Sequence, residues 1–384
     1  MSIGESTVLY LVVFLITCWF TNQADKKFSM NRTRTAVALS VAAIFVPSLL
    51  AGMRADTVGK DVLEYAVRTF ENAEASSTFK HFETLTQEPK GYMLLAFLTS
   101  RLFNDCGYFL FFSELFVIVP VYIVAYMNRE RSPMWLTMSC YMFLFYNNSF
   151  NTMKQFVSCS FILLFYCLFE EKKYVKAAIC VVIAFSFHFS ALFGLGFILL
   201  AKAIKSKDDK VTRVIFAATC LLIAVYLKNI SQLLVTYSLL PEKYVRNIEA
   251  VFGSDMNVYL KIAGFNMHVF LEWLFKLSFI AIPLILYKKV EKEIDENVRI
   301  ITILGMAFYT YVLLVFKTVY GGRLSIFCDF FLLLLLPMLK NVFRNERFDQ
   351  KVVVNGFLVG YMGFYWFLFI MIYGVSASNH FSFR

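Results

Sequence analysis

The sequence predicts an all-α, polytopic integral membrane protein, and three observations carry that prediction. Of 384 residues, 59% are hydrophobic and only 17% charged, where a soluble chain of this length carries about a quarter charged residues. The 44 Phe and 21 Tyr run along the whole length and do not gather in one anchor. Apolar runs of about 20 residues, the length that crosses a bilayer core, recur from end to end, and the mean hydropathy is +0.64. Too little polar material remains to cover soluble cores. A soluble enzyme, a disordered chain and a single-pass anchored domain are thereby excluded.

Ten spans follow from the apolar runs: 5–21, 35–53, 107–127, 134–151, 155–170, 212–228, 266–287, 300–317, 324–339 and 352–374. The run 8–20 lacks the basic start and small-residue cleavage site of a signal peptide, so it reads as a retained first span. The apolar stretch 174–203 is interrupted by Phe187-His188-Phe189-Ser190 and has lysines on both flanks. By the positive-inside rule both flanks are cytoplasmic, so the chain enters and returns as two short or re-entrant helices that meet near His188. Irregular backbone at membrane depth persists only beside protein or a water-filled cavity, so His188 is expected to line a cavity. Counting that pair gives about 12 membrane segments in a single transmembrane domain, 1–384.

Charge then sorts by side. The loops 22–34, 128–133, 171–176, 202–213, 288–299 and 340–351 hold 22 of the 37 basic residues. The net charge of +10 is therefore an orientation signal, and no nucleic-acid partner is expected. Both termini and two long loops face outward: 54–106, with amphipathic helices, and 229–265. Loops of that length are the expected functional surface. The eight cysteines lie mostly in apolar runs with no C-x-x-C and no Cys/His ligand spacing, so neither a disulfide framework nor a metal site is expected.

Four polar clusters stand at the outward ends of spans. In Gly52-Met53-Arg54, continuing through Val58-Gly59-Lys60-Asp61 to Tyr65, Arg54 reads as an anion ligand or as an interfacial cation whose apolar stem lies in lipid. Asp61 reads as a site carboxylate or as the N-cap of an amphipathic helix 62–72, with Glu64 completing a capping box. Glu88-Pro89-Lys90-Gly91-Tyr92 opens an apolar helix. Its Glu88 is a cap or, with Tyr92, a contact for sugar hydroxyls. The corner Asn147 to Gln155 offers the amides of Asn151 and Gln155 and the point charge of Lys154, unless it is a plain solvated turn. Tyr320-Gly321-Gly322-Arg323 offers Arg323 as a bidentate fork for phosphate oxygens or as a turn with an interfacial cation. Asp208-Asp209 suits a solvated loop. Within spans lie Glu114, Glu272, Lys276 and Asp329, costly there and functional candidates by default, although Glu272 and Lys276 stand four apart and can neutralise each other.

These motifs, in this order, resemble those of the EpsG-like and Wzy-like polysaccharide polymerases of bacterial envelopes. The matching residues are Gly52-Met53-Arg54, Val58-Gly59-Lys60-Asp61 with Tyr65, Glu88 with Gly91-Tyr92, Asn151-Thr152-Met153-Lys154-Gln155 and Phe187-His188-Phe189-Ser190-Ala191. Arg323 is a weaker later match. Lys60 stands where the family commonly has Thr, and Lys154 where it commonly has Arg.

The resemblance implies a GT-C-like fold and metal-independent glycosyl transfer, with no cofactor. In that reaction a glycan growing on undecaprenyl pyrophosphate passes to a hydroxyl of a new lipid-linked unit. The implied partners are undecaprenyl-pyrophosphate-linked oligosaccharides, the lipid bilayer and a chain-length regulator protein. The implied place is the bacterial inner membrane, with the site facing the periplasm or exterior. Arg54, Arg323 and Lys154 are then expected on pyrophosphate, His188 or Asp61 as the base, and Glu88, Tyr92, Asn151 and Gln155 on sugar. A flippase or exporter of the lipid-linked unit and an envelope glycan ligase are the rival expectations.

Overall fold

The structure is a computed structural model and describes residues 1–206, 266–286, 295–316, 321–339 and 348–384. The predicted span 212–228, the loop 229–265, Asp208, Asp209 and Tyr320 lie outside them. Among the described residues the chain is helical, with no β-strand and one isolated bridge, Arg54 to Phe383. Eight helices there are long and apolar enough to cross a membrane. The protein is an all-α, multi-pass membrane protein.

Helix α1 (Ile3–Ser29) starts on a capping box in which Ser2 and Glu5 satisfy each other's backbone. Its exposed stripe is Val8, Val12, Leu15 and Trp19, while Ser6, Tyr10, Thr17 and Thr21 are buried. That pattern, apolar outside and polar inside, suits lipid as the solvent. Helix α2 (Thr33–Met53) repeats it with Val37, Val41, Phe45, Leu49 and Met53 outward. The inner face of α2 carries small residues. Gly52 meets Gly107 of α6 (Cys106–Met127) so closely that a Cβ on Gly107 would lie 2.7 Å from the Gly52 carbonyl oxygen. Membrane helices associate through such small-residue contacts. The polar residues left inside are partnered across helices: Tyr122 of α6 donates to Ser40 of α2 at 2.9 Å.

Between α2 and α6 the chain forms a π-helical turn (Val62–Val67), α3 (Arg68–Ala75), α4 (Phe79–Leu85) and α5 (Lys90–Leu102). Next, α7 (Met134–Tyr141) runs through a second π-helical stretch (Met142–Tyr146) into the corner before α8 (Met153–Glu170). The stretch 174–203 contains two helices, α9 (Tyr174–Phe187) and α10 (Ala191–Lys205), separated by a break at 188–190. Then come α11 (Met267–Ile285), α12 (Glu296–Phe316), α13 (Gly321–Asp329), the short α14 (Leu332–Leu335) and α15 (Phe348–Trp366), which ends in a π-helical turn (Phe367–Ile372).

The chain divides into two compact units. One comprises Met1–Leu192, Ile285–Ile294 and Leu332–Arg384, and the other Phe193–Leu284 and Asp295–Phe331. The first has an aromatic core in which Phe14 meets Phe143, Tyr146 and Trp366 edge-on at 5.3–5.5 Å. In the second, Trp273 of α11 donates to Thr310 of α12 at 2.9 Å, and Gly305 of α12 packs directly on Cys328 of α13.

Candidate functional site

Arg54 is the first residue after α2 and leaves the helix in an extended conformation (φ −70°, ψ 142°). The reading of Arg54 as an interfacial cation does not hold, because only 1% of its surface is exposed. Its Nη1 donates to the Ala51 carbonyl at 2.7 Å, and Nη2 reaches Met153 Sδ at 3.4 Å. The guanidinium carbon lies 4.1 Å over the Phe150 ring. Its Nε is buried with no hydrogen-bond partner. Burial pulls the Arg54 pKa below its ordinary value, and the negative charge of Glu114 opposes that pull. Glu114 itself is buried on α6, with the Tyr141 and Ser149 hydroxyls 2.6 Å from its two oxygens. A buried cation thus feels the charge of a buried carboxylate that is already bonded elsewhere.

The loop after Arg54 docks on the Asn corner. Gly59 has φ +103°, and a Cβ there would sit 3.0 Å from the Phe150 carbonyl oxygen. Only glycine meets both demands at low cost. Asn151 Oδ1 accepts the Lys60 backbone N–H at 2.6 Å, so this amide holds protein backbone. Asp61 stands at the N-cap position of the turn Val62–Val67, but its backbone is helical (φ −90°, ψ −3°) and its side chain makes no capping bond. The following turn is π-helical, a form that recurs at functional sites, and it brings Tyr65 to Lys154.

Lys154 is the centre of the next contact. Its Nζ lies 2.5 Å from Glu88 Oε2, 4.5 Å from the centre of the Tyr65 ring and 5.3 Å from that of Tyr92. Glu88 is therefore the counter-ion of Lys154. It is not a helix cap, since Pro89 occupies that position and α5 begins at Lys90. The Tyr92 ring packs on Phe109 at 4.9 Å, and its hydroxyl is buried without a partner. Burial first, then the negative charge of Glu88, raise the Tyr92 pKa well above its ordinary value, with Arg54 acting in the opposite direction and Asp61 adding to the rise. Gln155, one residue beyond Lys154 on α8, is buried.

His188 ends α9 in an extended conformation (φ −157°, ψ 124°). Its Nδ1 lies 2.5 Å from Ser190 Oγ and accepts the Ser190 backbone N–H at 3.2 Å. A backbone N–H only donates, so the neutral ring carries its proton on Nε2. The break is joined to the other motifs at Gly91, where a Cβ would run into Ser186 Oγ and lie 2.9 Å from the Phe187 ring.

One unit thus gathers Arg54, Asp61, Glu88, Tyr92, Asn151 and Lys154, with the His188 break packed against the start of α5. Arg323 lies on α13 in the other unit and is exposed. Tyr65, Phe150 and Glu114 belong to the surroundings of the site without having been assigned to it from sequence. Tyr65 stood in a motif and Glu114 among the charges within spans, but nothing in their spacing ties them to Lys154 or Arg54. Among the described residues no group of three or more His, Cys, Asp or Glu side chains converges as a metal site would.

The EpsG family, a family of polysaccharide polymerase-like membrane proteins, matches residues 37–382. No curated protein and no solved structure matches the chain. The family match spans the motifs that converge on Arg54 and Lys154 and nearly the whole run of membrane helices, and this protein belongs to the EpsG family.

Proposed function

We propose that the protein polymerises lipid-linked oligosaccharide repeat units at the outer face of the bacterial inner membrane. The acceptor hydroxyl of a new lipid-linked unit attacks the anomeric carbon of the growing glycan. The bond from that carbon to undecaprenyl pyrophosphate breaks, the pyrophosphate oxygen leaves with the electron pair, and the hydroxyl proton passes to a base. Such a reaction needs fixed positive charge where the pyrophosphate charge develops and a base within reach of the acceptor.

One observation carries this reading. Two buried polar atoms, Arg54 Nε and Tyr92 Oη, have no partner beside the Lys154–Glu88 pair. Leaving a buried polar group unpaired costs about 1–3 kcal/mol, and native proteins keep few such groups. A ligand with several oxygens, as a pyrophosphate-linked sugar has, relieves both. In this reading Arg54 takes the pyrophosphate, and Lys154 joins it by exchanging Glu88 for a phosphate oxygen. Asp61 is the base. His188, with Nδ1 occupied by Ser190, is a donor through Nε2. Glu88, once released, and Tyr92 hold sugar hydroxyls, with Gln155 beside them, while Asn151 fixes the loop that carries Asp61.

A deletion strain tests the reading by gel analysis of its envelope glycans. Loss of a polymerase leaves single repeat units on the carrier or terminal acceptor. Units trapped on the cytoplasmic side would indicate a flippase, and unattached full-length polymer a ligase. Complementation with Arg54→Ala and His188→Ala tests the site itself: normal polymer length and yield with both would overturn the mechanism.

A further inference from the structure

The segment 375–384 lies against the loop that presents Arg54, and nothing in the proposed reaction uses it. Its backbone brackets the loop. Arg384 N donates to the Met53 carbonyl and Ala55 N to the Ser382 carbonyl, each at 2.8 Å, closing the bridge between Arg54 and Phe383. Further along, Gly59 N donates to the Ala377 carbonyl at 3.0 Å. Ala377 has φ +50°, a conformation that a residue with a Cβ seldom adopts, and it faces Gly59, whose φ is also positive.

Side chains fasten the segment to the rest of its unit. Ser376, Ser378 and Phe381 are fully buried. The Tyr10 hydroxyl donates to the Ser378 carbonyl, and Asn147 Nδ2 to Ser378 Oγ, both at 3.0 Å. The Arg384 guanidinium reaches Asp56 Oδ1 at 2.9 Å through Nη1 and Asp105 Oδ1 at 2.8 Å through Nε. Asp56 sits in the Arg54 loop. Asp105 caps α6 by accepting the Gly107 N–H at 2.6 Å, and α6 carries Glu114. Arg384 therefore ties the loop that bears the buried cation to the helix that bears its counter-charge.

We propose that segment 375–384 is a positioning element of the site and that Arg384 is its positioning residue, setting where the Arg54 guanidinium stands relative to Glu114 and Lys154. The inference rests on Arg54 serving the reaction. Arg384 is held by two carboxylates. Its loss displaces a group that works in the transition state and leaves ground-state binding in place, so kcat falls more than KM.

The test uses full-length protein reconstituted in vesicles, supplied with the host's lipid-linked repeat unit extracted from a polymerase-deletion strain. Arg384→Ala is expected to lower kcat about tenfold, with KM changed less than about threefold. Arg384→Lys, which keeps one of the two ion pairs, is expected to recover part of that loss. Deleting residues 382–384 removes the bridging hydrogen bonds but keeps Phe381, and is expected to cost at least as much kcat. If both variants turn over at the wild-type rate per molecule while Arg54→Ala is inactive, the positioning role is overturned and the role of Arg54 stands. If Arg54→Ala is active, the reading of the site has failed first. A fall in protein amount with unchanged kcat per molecule would mark the segment as packing only and would also overturn the proposal.

Discussion

Among the described residues, each unit of the protein holds a lysine beside carboxylate and tyrosine side chains, and the two clusters differ in their surroundings. In the first, Lys154 pairs with Glu88 at 2.5 Å, beside the rings of Tyr65 and Tyr92. In the second, Lys276 lies 3.3 Å from Glu272 on its own helix and 3.6 Å from Asp329 on α13, with the Tyr309 ring of α12 at 4.8 Å. The second cluster draws on three helices and holds an ammonium between two carboxylates. None of the buried, unpartnered side-chain atoms among the described residues belongs to Glu272, Lys276, Tyr309 or Asp329. Beside the first cluster lie two such atoms, on Arg54 and Tyr92. Charge within a membrane protein is thus a poor guide to function by itself. A polar group left unsatisfied at a cost is a better one.

The largest effect should come from the unsatisfied cation. In the proposed reaction Arg54→Ala removes a group that meets developing pyrophosphate charge, and such losses run to about 10²–10³ in rate. Polymer formed per molecule of membrane-inserted protein measures it. The sharpest contrast comes from treating the two lysines alike. Lys154→Met should lower the rate per molecule about 10–100-fold while the protein still accumulates, as expected for a charge-assisted contact worth about 1.5–3 kcal/mol. Lys276→Met leaves Glu272 and Asp329 facing each other with no cation. It should lower the amount of folded protein in the membrane, since breaking such a pair costs about 3–5 kcal/mol, and leave the rate per molecule unchanged. Equal behaviour of the two variants would erase the distinction between the clusters.

Smaller effects refine the first cluster. Gly91→Ala forces a Cβ into Ser186 and Phe187, parting α5 from the break at His188, and should cost about 1–3 kcal/mol as overpacking does. Thermal unfolding of the detergent-solubilised protein measures this. The Tyr92 phenol gives the smallest signal. Its folded pKa is raised, so its contribution to stability is complete below the ordinary value of about 10 and is lost as pH rises beyond that toward the folded value. Phenolate absorbance should therefore appear later for Tyr92 than for exposed tyrosines, and Tyr92→Phe should remove that late component.

The fold was legible in the sequence because lipid imposes a simple rule: apolar outside, with every backbone group satisfied by helix. The break at His188 was legible as a polar interruption of a long apolar run. The site was legible as a set of motifs but not as contacts. Local spacing favours helix caps for Asp61 and Glu88, yet Asp61, at its cap position, makes no capping bond, and Pro89 takes the position expected for Glu88. The partner of Glu88 is 66 residues away in Lys154, and no periodicity links the two. Arg54 stands at the end of a span, where a cation ordinarily reaches for lipid headgroups. Its burial comes from Phe150 and Met153 and from the neighbouring backbone bracket of segment 375–384, contacts set by tertiary packing. Asn151 shows a third limit: an amide in a polar corner is expected to hydrogen-bond, but its residue type does not tell that the group it accepts from is the Lys60 backbone.

The central claim is that the buried Arg54 and its neighbours join lipid-linked units. It is tested most directly by adding the host's lipid-linked repeat unit to vesicles that hold matched amounts of purified wild-type or Arg54→Ala protein. The products are then separated by length. The wild type should yield a ladder of polymers, and Arg54→Ala only the single unit. An unchanged ladder from Arg54→Ala, or wild-type protein that carries units across the bilayer without joining them, would contradict the account.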